Sequence, residues 1–249
     1  MTVSLGIIAG TGALDLFESL EERAVETRWG RPSAAPVQIR LGSDCAWLLA
    51  RHGRPHRIPP HRVDYRANIA ALAELGVTRV IAINAVGAID PALPPGALVV
   101  PDQLIDYSWG RVHSFSDTAD EPLDHIEFGE PFSSGLRARL LSAATATGVL
   151  IHDGGCYGVT QGPRLETAAE IVRMARDGCT LVGMTAMPEA ALAREAGLEY
   201  ASLCVVANAA AGVSNEPISI EQIHVVLADA MRHVSLLLGA LGHDRVCQA

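Results

Sequence analysis

The chain has 249 residues, 49% of them hydrophobic, enough to bury a sizeable core and of a length that suits one α/β domain rather than two. A formal net charge of −9, from 28 acidic and 19 basic residues, argues against a nucleic-acid surface, because phosphate backbones need a basic face. All 19 basic residues are arginine, which excludes a Schiff base to pyridoxal phosphate and a Walker-type phosphate lysine. Any anion must be held by arginine, histidine and backbone amides.

Met1 to Leu5 lacks a basic leader, and the apolar runs are interrupted long before a membrane-spanning length. The expectation is a cytoplasmic protein with no membrane partner. Five cysteines without a C-x-x-C pair suggest neither a disulfide framework nor a zinc site, so idle thiols and no metal are expected.

Val3 to Ala9 is an apolar run ending in Gly10-Thr11-Gly12, a buried strand followed by a tight turn. Arg40 to Ala50 reads as a hairpin. Pro60 to Leu75 has helical spacing and stops at Gly76, ahead of a strand at Val80 to Ile83. Asp106 to Pro131 has no period and reads as a long loop of functional or interface use. Further on, Ser133 to Thr147 is helical, Gly155 to Thr160 strand-like, Glu166 to Arg176 helical and Thr180 to Gly183 a short strand. Pro188 to Glu195 is helical, Tyr200 to Val206 a strand, and Ile218 to Leu241 a long amphipathic helix. Such alternation predicts an α/β fold whose mixed, mostly parallel sheet is covered by helices on both faces. One domain over 1–249 is expected, with a core of about 3–241 and a short tail at 242–249.

Arg51 to Arg66 holds five arginines and three histidines, opposed only by Asp64. Guanidinium forks match phosphate oxygens and imidazoles add donors, so Arg51 and His52 are candidates to grip an oxyanion; the alternative is a solvated basic loop. The Gly10-Thr11-Gly12 turn could serve the same anion or be a plain strand exit. Asp15 occupies the place of the third glycine in a dinucleotide fingerprint, so no nicotinamide cofactor is expected.

These segments resemble the trimeric purine nucleoside and methylthioadenosine phosphorylases. The matches are Gly10-Thr11-Gly12, Arg51 to His56, Val63 to Asn68, Asn84 to Gly87, Gln161 to Thr167, Gly183-Met184-Thr185, Met187-Pro188-Glu189 and Asn208, in order along nearly the whole chain. The resemblance implies a distorted barrel-like sheet and a pentosyltransferase with no cofactor, inorganic phosphate being the co-substrate. It implies phosphate contacts from Thr11, Arg51, His52, Asn84, Ala85 and Thr185, with Met184 packed on the ribose and Asn208, Ala209 and Ala210 near the base. It also implies a homotrimer in which a loop, for which 106–131 is the candidate, closes part of the neighbour's site.

Two positions bear on specificity. An ionised Glu166 only accepts hydrogen bonds, which suits the N1 hydrogen of a 6-oxopurine and repels the N1 lone pair of adenine. Asn208 can donate to O6 and accept from a protonating N7. Without the resemblance, Glu166 reads as a helix-dipole acid and Asn208 as a turn residue. At the sugar's 5' end, Ile220 matches the position of a hydroxyl-binding histidine in inosine-type relatives, and with Ile223 it would form an apolar wall for a methylthio group; both could equally pack the closing helix. Together these residues predict phosphorolysis of 5'-methylthioinosine in purine salvage, with Asn208 and His52 as the catalytic pair. Inosine, guanosine and methylthioadenosine are the rival substrates, and a water-using nucleosidase and a non-catalytic nucleoside-binding protein the rival classes.

Overall fold

The structure, a computed structural model, describes residues 4–10, 14–116, 123, 125–215 and 218–241. In chain order its strands are β1 (Leu5–Ala9), β2 (Ser19–Glu22), β3 (Val37–Leu41), β4 (Asp44–Ala50), β5 (Arg79–Ala88), β6 (Leu98–Val100), β7 (Gln103–Asp106), β8 (Ile151–Asp153), β9 (Cys156–Val159), β10 (Leu181–Gly183) and β11 (Glu199–Ala209). The α-helices are α1 (Tyr65–Glu74), α2 (Ser134–Thr147), α3 (Ala168–Arg176), α4 (Ala186–Glu195) and α5 (Ile220–Gly239). Among the described residues, six of the ten strand pairings are parallel, as expected of strands joined through helices.

Alternation along the strands sends side chains to two layers. Ile8 of β1 and Trp47 and Leu49 of β4 join Ile69 and Leu72 of α1 and Leu192 of α4. Ile7, Ala46 and Leu48 join Leu136 and Leu140 of α2 and Val234 and Leu237 of α5 on the other side. A third, smaller cluster seats Ile171 and Met174 of α3 against Val182 and Ala210. The helix starts follow local chemistry: Asp64 accepts from Ala67 N at 3.0 Å, and Thr167 with Glu170 forms a capping box on α3. α4 is interrupted by non-helical angles at Met187, which agrees with a helix expected from Pro188.

The hairpin at β3 and β4 and the long closing helix lie where periodicity predicts them. The elements that periodicity missed are the short strands β2, β6, β7 and β8, each of three or four residues, too short to establish an alternation. The stretch from 106 to 131 holds no regular element among its described residues beyond the end of β7; residues 117–122 and 124 lie outside them. The same holds for Thr11 and for 242–249. The expectation of five idle thiols is corrected at Cys45, which is half-buried at the mouth of the hairpin and disulfide-bonded; Cys156, Cys179 and Cys204 are free.

The sheet branches at β5. One edge of β5 pairs along its length with β11; on the other, β1 covers Arg79 to Ala82 and β10 covers Gly87 and Ala88. Ile83 to Val86 therefore have no strand partner on that edge among the described residues. Ala85 is the one exposed residue of β5, so the parting of β1 from β10 opens the sheet beside it.

Candidate active site

A cavity of about 380 Å³ occupies this opening, a volume suited to a small organic ligand. Ala9 and Gly10 at the end of β1, Ala85 on β5, and Met184 and Thr185 after β10 form its floor. Gly183 is required there, because a Cβ would stand 2.2 Å from the buried Tyr157 hydroxyl oxygen.

At one end Arg51 and His52 leave β4 into the interior, 2% and 8% exposed. Arg51 donates through Nε and Nη2 to the two oxygens of Glu189, at 2.7 and 2.9 Å, and through Nη1 to Ile83 O at 3.3 Å. Three of its five N–H groups are thus committed, and one on each terminal nitrogen is left for a ligand. Burial alone pulls the Arg51 pKa down; the charge and hydrogen bonds of Glu189 more than offset this and hold it above the usual value. Glu189, fully buried, also accepts from Tyr200 Oη at 2.9 Å.

His52 Nδ1 lies 2.8 Å from Ile58 O. A carbonyl only accepts, so Nδ1 carries the hydrogen and, in the neutral ring, Nε2 is an acceptor. Burial, followed by the Arg51 charge, lowers the His52 pKa to about 4, so the ring is neutral at ordinary pH. This corrects the expectation that the imidazole adds a donor to an anion. The ring stacks on His56, with centroids 4.4 Å apart. The rest of the basic run disperses: Arg54 reaches Ala35 O and Glu22, and Arg66 lies over Trp29.

Asn84 does not line the cavity. Its side chain accepts from Ser202 Oγ at 2.9 Å and donates to Thr185 Oγ1 at 2.7 Å. The Thr185 hydroxyl, whose oxygen is engaged by Asn84, keeps its own hydrogen for a ligand.

At the opposite end, Glu166 and Asn208 both face the cavity. Glu166 Oε1 accepts from Thr160 Oγ1 at 2.6 Å, which fixes the carboxylate. In β11 the register slips between Val206 and Asn208, leaving Ala207 as the extra residue of a bulge; a bulge re-aims the side chain that follows it. Asn208 Nδ2 rests on Ala209 O at 2.7 Å. Ala210 lines the cavity and Ala209 does not, facing instead the outer side of the α5 start.

The third wall is α5. Ile223, Leu227 and Met231, spaced one turn apart, present an apolar strip, and His224 stands beside it. Ile220 does not take part: it is 59% exposed at the first position of α5. Sequence reasoning named Ile223 but stopped there; the i, i+4, i+8 spacing would have added Leu227 and Met231. It missed Glu189 as the partner of Arg51 and Thr160 as the partner of Glu166. Arg51 and Glu189 share only their presence in matched segments, and Thr160 lies one residue outside the segment that holds Glu166, so no local signal links either pair.

With the geometry established, comparison with known proteins decides the family. A model described as the phosphorylase superfamily matches residues 4–241. The chain belongs to the phosphorylase superfamily. It is 54% identical over 215 residues to a protein of Xanthomonas campestris pv. campestris named "Probable S-methyl-5'-thioinosine phosphorylase", covering 85% of each chain. It is 49% identical over 244 residues to a protein of the same name from Pseudomonas syringae pv. tomato, covering 96% of this chain and 97% of the relative. Among solved structures, the methylthioadenosine phosphorylase of Schistosoma mansoni in complex with adenine superposes with a TM-score of 0.89 at 33% identity, covering 96% of this chain and 91% of that one. In this superfamily member no helix among the described residues is long and apolar enough to cross a membrane, and no group of three or more His, Cys, Asp or Glu is placed to hold a metal.

Proposed function

We propose that the chain catalyses phosphorolysis of S-methyl-5'-thioinosine, yielding hypoxanthine and 5-(methylthio)ribose-1-phosphate, and so serves purine salvage. The observation that carries this reading is the union in one cavity of three chemistries: anion donors at Arg51 and Thr185, purine-edge groups at Glu166 and Asn208, and an apolar wall at Ile223, Leu227 and Met231.

In this reading Arg51 and the Thr185 hydroxyl hold phosphate below the sugar, and a protonated phosphate oxygen donates to the acceptor Nε2 of His52. Phosphate oxygen attacks C1' as the C1'–N9 bond breaks and its electron pair moves into the purine. Asn208 donates to O6 and accepts from N7 as that nitrogen takes up, through solvent, the proton that phosphate gives up on becoming an ester, while Glu166 accepts from N1–H. No covalent enzyme intermediate is needed; positioning and charge stabilisation supply the rate. The 5'-methylthio group rests on the side chains of Ile223, Leu227 and Met231, which themselves offer a hydroxyl no partner. The same reading makes the protein a homotrimer, supported by Trp109, 71% exposed, and Val112, 50% exposed, on the loop after β7.

Base release from methylthioinosine, inosine and methylthioadenosine, followed by ultraviolet absorbance with and without added phosphate, tests the proposal. Methylthioinosine should give the highest kcat/KM, by about tenfold or more over each rival, and turnover should require phosphate. Phosphate-independent base release would replace the phosphorylase reading with a nucleosidase, and a preference for inosine would remove the apolar 5' site.

A further inference from the structure

From the loop after β7, the side chain of Arg111 reaches inward to the turns beside the cavity. Arg111 lies with its guanidinium carbon 5.6 Å from the centre of the Tyr65 ring. Its Nε donates to Gln161 Oε1 at 3.2 Å, its Nη2 to Thr160 O at 3.0 Å and Gln161 O at 2.8 Å, and its Nη1 to Met184 O at 2.8 Å and to Met187 O. All five N–H groups of the side chain thus have an acceptor. Every one of these acceptors is a neutral oxygen, so the residue is held by hydrogen-bond geometry and not by an opposing carboxylate.

These acceptors belong to two turns that meet at the cavity. Thr160 and Gln161 follow β9, and Thr160 fixes the carboxylate of Glu166. Met184 precedes Thr185 just after β10, and Met187 is the non-helical residue at the start of α4. The two turns already touch: Gly162, with φ of 61°, is packed so that a Cβ there would lie 2.5 Å from Met184 Sδ. A planar fork with donors on three nitrogens can tie both turns at once, whereas a lysine ammonium offers three donors from a single point.

We propose that Arg111 is a positioning residue that locks the turn reading the purine edge to the turn carrying the sugar and phosphate contacts. Arg111 touches no reacting atom; it sets the spacing between Glu166 on one side and Met184 with Thr185 on the other. The loop from 106 onward, beyond any contribution to a neighbouring subunit, thereby completes the site of its own chain. The inference rests on the assignment of Glu166 to the N1 edge of the base.

The test compares wild type, R111M, R111K and E166Q in kcat and KM for methylthioinosine and methylthioadenosine, with thermal unfolding in parallel. R111M should lose about 10²-fold in kcat/KM on methylthioinosine and R111K about tenfold. In R111M the preference for the oxopurine over the aminopurine should fall by about tenfold, a change that a merely stabilising residue does not cause. A preference within about twofold of wild type in R111M, with or without a drop in Tm, overturns the proposal. Should R111M fail to fold, Gln161→Leu decides, because of the Arg111 acceptors it removes only that of Nε, together with the acceptor of Trp109 N: a reduced preference supports the role and an unchanged one ends it. E166Q separates the two levels. If E166Q leaves the preference intact, the assignment of Glu166 fails; if E166Q collapses it while the Arg111 variants do not, only the role of Arg111 fails.

Discussion

Arg51, Glu189 and Tyr200 form one buried set and Asn84, Ser202 and Thr185 another, and within each every member bonds another side chain. Along α5 the cavity wall is Ile223, Leu227 and Met231, half-buried and apolar, with the exposed His224 beside it. The first region works by satisfied polar geometry in a medium of low dielectric, where removing one partner strands the others. The second works by contact area, where removing a methylene costs only that methylene. Changes at the anion end should therefore be nearly all-or-none, and changes at the α5 wall graded.

The sharpest way to break this contrast is Glu189→Gln. The Arg51 charge would be left buried without its partner, which costs about 3–5 kcal/mol of stability. Urea unfolding should show that loss together with abolished turnover; a stable, active variant would mean that the buried pair is not what holds Arg51. Next in size, Asn208→Ala should lower kcat by about 10²–10³, as expected for a donor aimed at developing charge. A loss under about tenfold would defeat that role.

His52 sharpens the comparison through pH. The folded protein holds its pKa at about 4, below the ordinary 6.5, so as pH falls through that window the unfolded chain takes up a proton that the folded chain refuses. Stability should decline from pH 6.5 towards 4, by on the order of 3 kcal/mol in total. His52→Gln should flatten that part of a urea-midpoint series; an unaltered slope would place the titration elsewhere. The smallest effect belongs to the apolar wall. Ile223→Val should raise KM for methylthioinosine by about threefold to fivefold with kcat unchanged, and a collapse of kcat there would erase the distinction between the two regions.

The sequence by itself determined the α/β class, the long elements and the residue types of the site. Periodicity over ten or more residues marks α2 and α5, the absence of lysine forces anion binding onto arginine, and the motifs at Arg51, Gly183 and Asn208 carry the family. Only the tertiary structure decided which of those residues act together. Glu189 stands 138 positions from Arg51, the bulge at Ala207 aims Asn208 inward, and the first turn of α5 leaves Ile220 in solvent while Ile223 meets the cavity. Arg111, in a stretch without any period, gains its place from two turns that lie side by side because β9 and β10 run as parallel neighbours. Local patterns record what each segment does with its neighbours in sequence, whereas a site is made where segments distant in sequence come to rest against one another.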